Sequence, residues 1–113
     1  MSKDDFSITP EEFVQEFKGL KEYLVNNYFS RESDISRISR LKGAGFNNEQ
    51  IELTKGVVSE ALTDALYTVL LGLEGSASIN EHQVMYKLFD EESNELTGEI
   101  ESIAWEKFHG ENT

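Results

Sequence analysis

The sequence predicts a mostly helical domain of the α+β class. Four to five helices pack around a central helix at residues 57–73, with one short β-hairpin near residues 83–97. Three observations predict this. Apolar residues recur at helical spacing over two long stretches, 13–28 and 51–73. Residues 83–89 break that rhythm and alternate instead. The chain is also short: its 113 residues suffice for one core and hardly for two. Residues 1–113 are therefore expected to form a single compact domain, with flexible ends at 1–7 and 110–113. An apolar fraction of 38%, with seven Phe, four Tyr and one Trp, argues for folding over disorder.

The first helix has the clearest start. Thr9, Pro10 and Glu12 supply a hydroxyl cap, a proline at the first helical position and a glutamate at the third. Phe13, Phe17, Leu20, Leu24 and Tyr28 then fall on one stripe. Ile35, Ile38 and Leu41 read as a short helix, stopped by Gly43, Ala44 and Gly45. This is the one basic stretch, with Arg31, Arg37, Arg40 and Lys42. Those cations bind phosphate, pair with acids elsewhere in the fold, or form a solvated face.

Asn47 caps the next helix, with Phe46 placed as a staple. Its face is Ile51, Val58, Leu62, Ala65, Leu66, Val69 and Leu73. Gly56 either divides this helix in two or permits close packing. Residues 66–73 are apolar on every side, which predicts burial on several sides. Glu74, Gly75 and Ser76 end the helix. Val84, Tyr86 and Leu88 then alternate with Met85 and Phe89, the pattern of a strand with both faces partly covered. Residues 90–94 form a turn, and 95–97 return as a short partner strand. Thr97 is positioned to cap a last helix at 98–109, whose buried stripe is Ile100, Ile103, Ala104 and Phe108.

Charge is the most informative property for function. The net charge is −12, and it is lopsided. Residues 1–56 hold ten acids and eight bases, whereas residues 57–113 hold twelve acids and two bases. Between residues 88 and 106 there are seven carboxylates and no Lys or Arg: Asp90, Glu91, Glu92, Glu95, Glu99, Glu101 and Glu106. One sign held in one place costs self-repulsion, so it suggests a partner of opposite charge. Such a chain is repelled by nucleic-acid phosphates and anionic membranes, so the expected partner is a basic protein. Trp105 lies at the edge of the buried stripe among these acids, a composition common in binding hot spots. The expected partner-binding set is Asp90, Glu91, Glu92, Glu95, Glu99, Glu101, Trp105 and Glu106.

Several chemistries find no support. There is no cysteine, which removes disulfides and thiolate metal sites and suits a cytoplasmic location. The first residues lack the apolar run of a signal peptide. Residues 65–73 are about half the length a membrane span needs. Asp90, Glu92, Asn94 and Glu101 match the first, third, fifth and twelfth ligands of a calcium loop. The required glycine at the sixth place is Glu95, so no metal is expected. His82 and His109 have no ligand pattern around them, and no nucleophile motif or phosphate-binding glycine loop is present. No cofactor and no enzymatic activity are expected.

The size, the acidic balance, the absence of cysteine and the segment from Leu66-Tyr67-Thr68-Val69-Leu70-Leu71-Gly72-Leu73-Glu74-Gly75 to Trp105-Glu106-Lys107-Phe108-His109-Gly110 carry a resemblance. Over residues 60–110 the chain resembles bacterial immunity proteins of the contact-dependent growth inhibition type. That resemblance implies a cytoplasmic inhibitor that covers the active site of one cognate toxin domain, often a basic nuclease. Alternatives are a nucleic-acid mimic that blocks a restriction or CRISPR enzyme, a small enzyme or ligand-binding domain using its acids, and a helical scaffold. The near-neutral first half argues against the mimic.

Overall fold

In the computed structural model, residues 6–110 are described. The protein is mostly helical, with four helices among these residues: α1 (Pro10–Tyr28), α2 (Ile38–Gly43), α3 (Asn48–Gly72) and α4 (Ile100–Phe108). The flexible ends expected at 1–7 and 110–113 fall largely outside the described residues. By contacts the chain divides into two compact units. One comprises Met1–Lys18 with Ala65–Thr113, the other Gly19–Asp64, so the divisions fall within α1 and within α3.

The helix ends follow the local chemistry. At α1, the Glu12 amide donates to the Thr9 hydroxyl at 3.1 Å, and the Thr9 amide donates to the Glu12 carboxylate at 2.9 Å. This reciprocal pair satisfies two amides that the first turn would leave without partners. At α3, Asn47 and Gln50 make the same exchange, both bonds at 2.8 Å. Both α2 and α3 end in a Schellman turn. Gly45 (φ +93°) and Gly75 (φ +77°) take the left-handed conformation, while Phe46 donates back to the Leu41 carbonyl and Ser76 to that of Leu71. Gly56 does not divide α3, which runs through it unbroken. Nor does close packing need it, since a Cβ there would meet nothing within 4 Å.

The first unit holds the larger core. Val14 from α1, Leu70 from α3 and Ile100, Ala104 and Phe108 from α4 are buried together. Phe13, Phe17, Leu66, Tyr67, Leu71 and Ile103 pack against them. The stripe expected on α4 is therefore the one observed. In the second unit Val25 and Ile51 are buried, but Leu20 is 46% exposed although the expected stripe included it. Burial on α1 centres instead on Val14 and Val25, each one residue past a position of the expected stripe, Phe13 and Leu24. Arg37 is exposed and engages its own neighbours: its guanidinium lies 4.8 Å from the Tyr28 ring centroid and donates to the Ile35 carbonyl.

The hairpin expected near 83–97 is not formed as a pair of strands. Two isolated antiparallel bridges stand in its place, Glu74 with Met85 and Phe89 with Glu95. The reason is competition by side chains for backbone amides. Asp90 gathers the amides of Glu92 and Asn94, and Thr97 offers its hydroxyl to the Leu88 amide where a strand carbonyl would stand. The covered faces that a strand requires are also missing. Val84, Met85, Tyr86 and Phe89 are each exposed by 44% or more.

Candidate functional site at the start of α4

The helix α4 begins at Ile100, two residues later than the sequence suggests, and Thr97 does not cap it. Thr97 is buried, donating to the Glu95 carboxylate at 2.9 Å while accepting from Leu88. The capping group comes from just past the end of α3. The Glu74 carboxylate accepts from three backbone amides, those of Gly98, Ile100 (2.6 Å) and Glu101 (3.0 Å). A negative charge at a helix N-terminus also meets the positive end of the helix dipole. Gly98, at φ +128°, turns the chain so that its own amide joins this set. The acidic stretch is thus anchored through the backbone, and its side chains radiate from a fixed start.

The expected partner-binding residues separate into groups. Glu99, Glu101 and Trp105 come together, lining a cleft of about 400 Å³ with Tyr67, Glu74, Gly98 and Ser102. Trp105 is 57% exposed. Its ring lies 4.7 Å from that of His109, which in turn meets the Tyr67 ring edge-on at 4.8 Å. Glu106 is exposed on α4 but does not line this cleft. Glu91 and Glu92 are exposed on the turn. Glu95 and Asn94 line a separate hollow against residues 7–10 and Glu12.

Asp90 is committed to the structure. One carboxylate oxygen accepts from the amides of Glu92 (2.9 Å) and Asn94 (2.8 Å), the other from the Ile8 amide (3.0 Å) and the Asn94 side chain (3.1 Å). Desolvation pushes its pKa up, but these hydrogen bonds outweigh it and hold the carboxyl below its ordinary 3.8. A depressed folded value means that the stabilisation is present above pH 3.8 and is lost as pH falls through the folded value. In an acid titration followed by NMR, the amide shifts of Ile8 and Asn94 are expected to move together with a midpoint below 3.8. A midpoint at or above the ordinary value would contradict this role.

Tyr67 and Glu74 line this cleft, with the His109 ring against those of Tyr67 and Trp105, and no sequence signal points to them. His109 stands at the C-cap of α4. Tyr67 on α3 and Glu74 just past its end lie 26 or more positions before Ile100, and no local spacing joins them to α4. His82 and Tyr86 are exposed and do not line the cleft. Among the described residues, no group of three or more His, Cys, Asp or Glu is placed to hold a metal ion. No helix in that range is long and apolar enough to cross a membrane. Comparisons with protein-family models, with curated proteins and with solved structures give no match.

Proposed function

We propose that this protein is a small acidic inhibitor. It would act as an immunity protein that binds a cognate basic toxin domain, of nuclease type, and covers its active site. The observation that carries this reading is Trp105, more than half exposed beside Glu99 and Glu101 in a cleft with no Lys or Arg in its lining. A large aromatic surface left in water beside carboxylates that no cation of the lining meets has the composition of an interface anchor with its charged rim. Anchoring by Glu74 supports the reading further, because the backbone that carries Glu99 and Glu101 is held in place before binding and loses less freedom on contact. The carboxylates would meet the Lys and Arg that otherwise hold nucleic-acid phosphates. They would speed encounter, while the desolvated tryptophan would slow departure.

The test is charge reversal of Glu99, Glu101 and Glu106 to Lys, measured against the cognate basic toxin domain that the proposal requires. The association rate is expected to fall by about tenfold or more at low ionic strength, and its dependence on salt to flatten. An association rate unchanged at low salt in stopped-flow measurements would remove the electrostatic basis of the proposal. A ligand-binding domain is the second reading, and the same cleft is its support. It predicts saturable binding of a small molecule and no protein partner.

A further inference from the structure

We propose that the cleft between the end of α3 and the start of α4 is a receptor for one guanidinium group, presented by an arginine side chain of the protein partner. The inference rests on the inhibitor reading for the bearer of that arginine, and on the cleft's own chemistry for the group it takes.

Three features select a guanidinium. Tyr67 and Trp105 supply aromatic surface in the lining, and planar cations stack on such rings. Glu99 and Glu101 supply negative charge in the same lining, and carboxylates meet the guanidinium fork with paired hydrogen bonds. The third feature is the division of labour among the carboxylates. Glu74 is occupied by backbone amides, and one oxygen of Glu101 accepts from the Ser76 hydroxyl at 3.0 Å. Among the described residues nothing bonds to the other oxygen of Glu101 or to the carboxylate of Glu99, and both would meet a ligand in the cleft. A volume of about 400 Å³ accommodates the head of an arginine side chain with part of its stem. The phenol of Tyr67 agrees with this field: burial and then the charge of Glu101 both push its pKa upward. An ammonium would satisfy the charge but would gain less from the flat aromatic walls.

Trp105 is the only tryptophan of the chain, so its indole N–H resonance and its fluorescence report on this cleft alone. The full chain is titrated with N-acetyl-arginine amide, with the lysine analogue, and with N-acetyl-citrulline amide, which keeps the shape and loses the charge. The arginine compound is expected to shift the Trp105 indole and the Glu101 and Ser102 amides saturably. Binding should weaken about five- to tenfold for the lysine compound and vanish for citrulline. Glu101→Gln should weaken arginine binding about tenfold while leaving the thermal midpoint near that of the parent. Equal responses to arginine and citrulline, or arginine binding unchanged in Glu101→Gln, would overturn the proposal. So would tight binding of the toxin domain by a chain whose cleft ignores the arginine compound, and that outcome leaves the inhibitor reading standing. Arginine binding in a chain that engages no basic protein supports the receptor and removes the inhibitor reading instead.

Discussion

Replacing Leu70 by Ala is expected to lower the unfolding free energy by about 2–5 kcal/mol. Leu70 has no exposed surface and lies in the cluster where α1, α3 and α4 meet within the first unit. Removing its branched end takes away the transfer free energy of those carbons and leaves a void. Val14 and Ile100 are fully buried as well, so little room exists for the walls to collapse into it. A domain of this size commonly has about 5–15 kcal/mol in total, so the loss consumes a large share. Urea denaturation gives the measurement, and Leu53→Ala is the control. Leu53 is 71% exposed on α3, and its truncation is expected to stay within about 0.5 kcal/mol. A Leu70→Ala cost below that of the control would refute the assigned core.

Loss of the Glu74 carboxylate is the second large effect. Glu74→Ala strands three amides at the start of α4, and the expected cost is about 1–3 kcal/mol. Glu74→Gln keeps one acceptor oxygen but loses the charge, so it should fall between Ala and the parent. Part of the effect is attraction to the helix dipole, and added salt should reduce that part. Hydrogen exchange locates the damage. The Ile100 and Glu101 amides should lose protection first, because they donate directly to Glu74. Uniform loss across the unit would point to a global effect instead.

The two substitutions also show which parts of the fold are legible in the sequence. Thr9 with Glu12, Asn47 with Gln50, and the glycines at 45 and 75 act over three to six residues. Their chemistry is complete within a window that the sequence displays. The buried stripe of α4 is legible for the same reason, since Ile100, Ala104 and Phe108 repeat every four residues. Residues 83–89 mislead because alternation records side-chain pattern and not hydrogen-bonding partners. Asp90 and Thr97 draw those partners off, and only two bridges survive. Within the candidate site, Glu101 and Trp105 are one turn apart and visible together. Glu74 is invisible in that role, because the amides it holds lie 24 to 27 residues downstream. Tyr67 joins them only through the packing of α3 against α4.

The core of the first unit draws on both ends of the described chain, and this sets a schedule for synthesis. Val14 emerges well before Phe108, which completes its cluster. At about 5–20 residues per second, roughly 5–20 s separate the two. Residues 19–64 can meet partners close in sequence during that interval. Beyond the edge-on contact of Phe13 with Phe17, the apolar residues of α1 must wait for Leu66, Leu70 and Leu71 of α3 and then for α4, and until then they form an apolar patch on a nascent chain. The fold thus has a vulnerable age, when a holding chaperone would find its binding site on α1 and would lose it once α4 arrives.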